Sequence, residues 1–295
     1  MKKSIGVIAE YNPFHNGHLL HLTEARRLAG GDLPVIAVMS GSVVQRGEPA
    51  FCNKWARAQM AVQNGADLVL ELPAVFSCRS AEFFAAGAVQ LLAATGITGY
   101  LAFGAETAET QTLAAAAHFI NTHQEELRAI IKSSASYAAA QSTLLQNAGF
   151  TFAAAEANDI LALEYCRCLQ KYAPQIAPLV IRRCGAGYNS SDISAEYASA
   201  SGIRTEYAAA GLSARPGKAL GRRQADAQAG KAAGACVHTE QVDVCTGQAA
   251  QLQAVIHQRH QSLAVGHAAV QIHLVQQAII LQKSHTSRFA RCIHS

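Results

Sequence analysis

Two histidines, His15 and His18, flank Asn16 and Gly17 in the stretch Glu10 to Leu22, EYNPFHNGHLLHL. Imidazole nitrogens can donate hydrogen bonds to phosphate oxygens, and they carry positive charge when protonated. Gly17 has no Cβ, so a nucleotide can come up against the backbone there. Asn12 can bond a phosphate or hold the turn. Before this cluster, SIGVIAEY reads as a short buried strand, and NPFHNG reads as a turn. After it, HLLHLTEARRLAG reads as a helix stopped by Gly30-Gly31. A helix start exposes unpaired N–H groups at the positive end of the helix dipole, and both favour an anion such as phosphate. The carboxyl end of a parallel strand is also where open α/β sheets bind ligands. Taken without that context, two histidines at a helix start can equally be caps or surface residues.

A second group stands late in the chain, at SASGIR, Ser199 to Arg204. Ser199 and Ser201 before a helical run read as a cap. Arg204, one turn into that run, can reach a phosphate with its forked donors. Arg46 and Lys54 can reach phosphate or RNA, or serve the surface. Trp55 is the sole tryptophan and reads as a packing residue of the core or an interface. Glu71 ends an apolar strand and can line the site. His21, one turn after His18, reads as helix packing, and His118 and His123 as solvated helix positions.

The elements that must position these groups alternate. LPVIAVMSG, ADLVLELP and GYLAFGAE read as strands, and NKWARAQMAVQNG and SAEFFAAGAVQLLAATG as the helices between them. Strands alternating with helices imply a Rossmann-like, doubly wound parallel sheet, an α/β fold. Residues of about 107–175 turn helical, an insertion or a wall beside the sheet. APLVIRRCGAGYN then supplies a late strand and a Gly-rich loop, and SASGIRTEYAAAG another helix.

Composition breaks near Gly211. Residues 1–210 hold 15 Lys+Arg and 17 Asp+Glu, whereas residues 211–295 hold 9 and 3 and carry seven of the twelve histidines. The expected organisation is therefore a catalytic domain over 1–210 and a basic, irregular tail over 211–295, whose stretch AAQLQAVIHQRHQSLAVGHAAVQIHLVQQAIILQ is compatible with helix. Eight cysteines without C-x-x-C pairs read as inert reduced thiols rather than a zinc site or a disulfide framework. No apolar run is long enough to span a bilayer, and a cytoplasmic location is the expectation.

The two motifs together resemble the H-x-G-H nucleotidyltransferase superfamily, which pairs a first-strand H-x-G-H with a late S-[ST]-[ST]-x-[IL]-R segment. More narrowly, GVIAEYNPFHNGHLLHL, MSGSVVQRGEPAFCNKWARAQMAVQNGADLVLELP, AFGAE, NDILALEY and IRRCGAGYNSSDIS are similar to blocks of the bacterial tRNA(Met) cytidine acetate ligase family, in the same order over roughly residues 3–210. That resemblance implies activation of acetate by ATP, giving acetyl-adenylate and pyrophosphate, followed by acetyl transfer to N4 of the wobble cytidine (C34) of elongator tRNA(Met). It implies an ATP site over Val7 to Leu20, including Asn12, His15, Gly17 and His18, joined by Gly104, Asn158, Arg182 and Arg183. Ser199, Ser201 and Arg204 close it, and Mg²⁺ is expected to assist. His15, His18 and Arg204 are the expected catalytic groups.

Members of that family are longer and continue into a folded C-terminal region. The tail here is expected to be a translated wrong frame or a degenerate end. Two other readings stay open: an adenylyltransferase acting on a phosphorylated small molecule, and an inactive RNA-binding remnant.

Overall fold

The computed structural model describes residues 3–106, 109–150, 157–183, 199–209 and 279–282. The Gly-rich loop after the late strand, and the tail apart from residues 279–282, lie outside the described residues, as does the reading of that tail as a wrong frame. Five strands run parallel: β1 (Ser4–Ala9), β2 (Val35–Ser40), β3 (Leu68–Leu72), β4 (Thr98–Ala105) and β5 (Ala177–Arg182). A sixth, β6 (Ile279–Gln282), pairs antiparallel with β3. The sheet order is β5-β4-β1-β2-β3-β6. The chain leaves β1 first toward β2 and β3, then returns to place β4 and β5 on the other side. The carboxyl ends of β1 and β4 therefore border the crevice where the winding reverses.

Alternation along the strands divides the core. On β2, Val35, Ala37 and Met39 face one layer with Ile5, Val7, Leu22 and Ala58. Ile36 and Val38 face the other, with Leu70, Phe84, Leu92, Leu101 and Leu163. The first layer is covered by α1 (Asn16–Leu28) and α2 (Lys54–Gln63). The second is covered by α4 (Ala81–Ala94) and by the helical region, which forms a wall of α5 (Thr110–Thr122), α6 (Gln124–Ile131), α7 (Tyr137–Asn147) and α8 (Ala157–Tyr172). Inside that wall, Arg167 on α8 donates two hydrogen bonds of 2.8 Å to Glu164, which also accepts from Gln141 on α7 at 2.6 Å. A buried carboxylate is tolerable there because its lone pairs are filled by fixed donors.

Two features depart from the sequence reading. A short helix, α3 (Ala74–Ser77), follows Pro73 between β3 and α4; a single turn leaves no periodic signal. Residues 279–282, within a stretch compatible with helix, are extended: IILQ is a β-branched, apolar run that completes an edge of the sheet.

Candidate nucleotide site

The turn after β1 is held from three directions. Tyr11 has a positive φ of 47°, and the Asn12–Pro13 peptide is cis. The Tyr11 ring is buried, packs on Phe14 at 4.9 Å and meets His18 edge-on at the same distance. Asn12 holds the turn rather than offering its side chain to a ligand. Its Oδ1 accepts from the Phe51 N–H at 2.6 Å, and its carbonyl accepts from Arg204 Nη1 at 2.7 Å. Beneath it lies Arg57, fully buried. This guanidinium donates to the carbonyls of Glu10 (2.6 Å), Cys52 (3.1 Å), Ser40 (3.2 Å) and Gly41. Burial, opposed by nearby acidic groups, lowers its pKa. Arg57 thus ties together the chain leaving β1, the chain leaving β2 and the approach to α2.

His15 is the N-cap of α1, with Nδ1 accepting from the Gly17 N–H at 3.1 Å. His18 Nδ1 accepts from the His15 N–H at 3.3 Å, so the two side chains form a reciprocal capping box. Their rings lie 3.9 Å apart. Burial lowers both pKa values, His15 to about 4, and the nearby Arg183 charge adds to the effect. These rings are therefore neutral near pH 7 rather than the cations that the sequence also allowed. An Nδ1 that accepts a backbone N–H leaves the ring proton on Nε2, the far corner of each ring. Glycine at 17 also leaves room for the capping ring: a Cβ there would stand 2.9 Å from His15 Cε1.

On the other side of the crevice, β4 ends in Gly104 and Ala105, and Glu106 follows. The Arg183 side chain lies across Gly104, where a Cβ would come 3.1 Å from its Cγ. Arg183 Nη1 reaches Asn158 Oδ1 at 3.5 Å and its Nε lies 3.7 Å from Glu106 Oε1. Asn158 Nδ2 donates to that same Glu106 oxygen at 2.7 Å, and the Glu106 N–H donates to Asp159 at 2.8 Å. So His15, Gly17, His18, Gly104, Asn158, Arg183 and Arg204 gather about one crevice.

The other expected residues sit differently. Val7 is buried in the sheet core and presents no side chain to the site. Leu20 is half-buried on α1, and Arg182 is the exposed last residue of β5. Ser199 Oγ accepts from the Gly202 N–H at 3.0 Å and contacts Ser201 Oγ at 3.2 Å, the cap expected for α9 (Ala200–Ala209). Glu71 is paired with Lys54 at 2.6 Å. Arg46 is exposed on the loop after β2. Trp55 is not a core residue: it stands 52% exposed at the start of α2, with Lys54 5.5 Å from its ring centre. His118 is exposed, whereas His123 stacks on Phe119 at 3.9 Å. The sequence reading missed Glu106 and Arg57. Glu106, a lone carboxylate closing an apolar strand, was detectable; Arg57 looked like any polar helix position.

A family profile described as HIGH Nucleotidyl Transferase matches residues 1–260. The chain belongs to that family. This nucleotidyl transferase is 42% identical over 211 residues to the tRNA(Met) cytidine acetate ligase of Acetivibrio thermocellus, covering 68% of this chain and 51% of that protein. It is 44% identical over 210 residues to the ligase of the same name from Syntrophomonas wolfei, covering 68% and 50%. Its fold is similar to the crystal structure of Thermotoga maritima TmcAL in the apo form, with a TM-score of 0.65 and 38% identity over 70% of this chain and 52% of that one. It is also similar to TmcAL bound with alpha-thio ATP, with a TM-score of 0.62, 38% identity and coverage of 70% and 50%. The chain spans about half the length of the curated relatives it matches. As a HIGH nucleotidyl transferase it places its signature histidines at a helix start, with guanidiniums arriving from β5 and α9. Such a set can stabilise negative charge building on a phosphate without a covalent intermediate.

Proposed function

We propose that this chain activates acetate with ATP and serves acetyl transfer to N4 of the wobble cytidine of elongator tRNA(Met). A carboxylate oxygen of acetate attacks the α-phosphorus, and the bond to pyrophosphate breaks. The cytidine amine then attacks the acetyl carbon, AMP leaves, and the amine loses a proton. His15 and His18 would donate through Nε2 to phosphate oxygens. Arg183 and Arg204 would offset the charge of the triphosphate or of the departing pyrophosphate. Gly104, Glu106 and Asn158 would hold the nucleoside end.

The observation that carries this reading is the capped histidine pair with Arg183 and Arg204 close by, in a chain whose family match spans all of those segments and which is similar to tRNA(Met) cytidine acetate ligases. Among the described residues, no group of three or more His, Cys, Asp or Glu could hold a metal ion. The described residues offer Mg²⁺ no ready cage, and the ion would arrive on the triphosphate, as is usual for this cation. No helix among the described residues is long and apolar enough to cross a membrane. Consumption of ATP and tRNA would place the chain in the cytoplasm.

The test is incubation with ATP, radiolabelled acetate and bulk tRNA, followed by nucleoside analysis. Labelled N4-acetylcytidine is expected. Acetate-dependent pyrophosphate release without labelled nucleoside would confine this chain to the first half-reaction. Turnover only with a phosphorylated small-molecule acceptor would replace the proposal.

A further inference from the structure

His21 lies one turn beyond His18 on α1, a helix that packs beside β5. Packing alone does not account for it. The residue is half-buried, yet its Nε2 is sealed from solvent with no hydrogen-bond partner. Such a nitrogen costs stability that a Leu or Phe at this position would not. Two other buried side-chain atoms among the described residues share this condition. Arg26 Nε belongs to a guanidinium already bonded to Gly65 and Asp67, and Ser40 Oγ lies at the end of β2, across β1 from β4 and β5. His21 alone of the three stands among site residues: its charge state is coupled to that of His18, and Arg183 acts on both rings. Burial first, and Arg183 second, lower its pKa to about 4. The ring is therefore neutral near pH 7, with one N–H donor and one lone pair.

We infer that His21 is a nucleotide-binding residue, whose Nε2 gains its missing hydrogen-bond partner from the nucleotide held between the His15–His18 turn and Arg183. This rests on the nucleotide-site reading and adds to it a side chain beyond the H-x-G-H signature. His21 follows His18 by one turn on α1, and α1 packs beside β5, which Arg183 directly follows. The cost of the orphaned nitrogen in the empty protein is recovered only when ligand is present. Stability and affinity should then respond to its removal with opposite signs.

The experiment uses the full chain with His21→Phe, which keeps a ring and removes both nitrogens, and His21→Gln, whose amide nitrogen can stand near the position of Nε2. ATP affinity is measured by calorimetry, and Tm is measured without ligand. The Phe variant is expected to keep or raise Tm and to bind ATP about tenfold more weakly, the size of one lost hydrogen bond. The Gln variant is expected to stay within about threefold of the parent, as a partly restored hydrogen bond allows. ATP binding by the Phe variant at parental affinity overturns the inference. So does loss of the fold in the Phe variant, or equal weakening in both variants with a matching fall in Tm, since each makes packing the role of the ring. Failure of the parent itself to bind ATP would remove the nucleotide site first, and is distinguishable because it precedes any substitution.

Discussion

The two walls of the crevice are built to different tolerances. At the end of β1, polar groups are closed on fixed backbone partners: both histidine Nδ1 atoms accept main-chain N–H groups, both oxygens of Asn12 are used, and Arg57 is wrapped in four carbonyls. At the ends of β4 and β5 the Glu106, Asn158 and Arg183 side chains contact one another, and the backbone enters through the Glu106 N–H on Asp159. Arg183, 41% exposed along its side chain, reaches its neighbours only at 3.5 and 3.7 Å. A wall of backbone-anchored donors is preorganised, which is what charge development at a phosphorus atom requires. A wall of long side chains can close onto a ligand after it arrives. In the proposed reaction the first wall serves the reacting phosphate and the second the nucleoside.

The largest effects should fall on the rigid wall. His18→Ala removes a donor fixed by the capping box, and acetate-dependent ATP–pyrophosphate exchange is expected to fall about 10²–10³-fold. A variant within a few-fold of the parent would erase the asymmetry between the walls. Next comes Arg57→Met, which keeps the aliphatic stem and strips the buried carbonyls of their donors. A loss of roughly 3 kcal/mol in urea unfolding is expected, because several acceptors are orphaned at once. Unchanged stability would mean that the β1 turn is held by its rings alone.

The same wall should make the protein sensitive to acid. His15 and His21 have folded pKa values near 4, and His18 lies well below its ordinary value, against 6.5 for a free imidazole. The unfolded chain therefore binds more protons than the folded one as pH falls below 6.5. Stability is fully present above that value and drains away toward about pH 4. His15→Asn keeps a side chain able to cap α1 but does not titrate. Unfolding free energies measured across pH 7 to 4 should fall less steeply in this variant. An unaltered slope would assign the acid loss to groups outside the turn.

What could be read in the sequence was what is contiguous. Strand, turn, capping histidines and helix follow one another within Ser4–Leu28, so local rules reach them. The apolar runs that became β1 to β5 carry their own signal. Arg57 was invisible because Glu10, Ser40 and Gly41 are 47, 17 and 16 residues away. Asn158 meets Glu106 across 52 residues, so only its resemblance to a family block pointed to it. For Trp55 only the core half of the core-or-interface reading fails, at 52% exposure: a single tryptophan is expected inside, and nothing local says that its position on α2 faces outward.

The smallest expected effect tests the adaptable wall. Asn158 donates to Glu106 at 2.7 Å and offers its Oδ1 to Arg183, so it stands between the carboxylate and the guanidinium. Asn158→Ala leaves Glu106 its backbone link to Asp159 and leaves Arg183 free to approach the carboxylate, already 3.7 Å away. Water can replace much of what is lost, because neither partner is sealed. The Michaelis constant for ATP is then expected to rise about three- to tenfold with kcat little changed, the signature of an interaction made equally in the ground and transition states. Glu106→Gln should give a similar loss, and the double variant should lose less than the sum of the two, since both act on one contact. Full additivity, or a fall in kcat as steep as that of His18→Ala, would show that this wall is as rigidly matched to the reacting centre as the first.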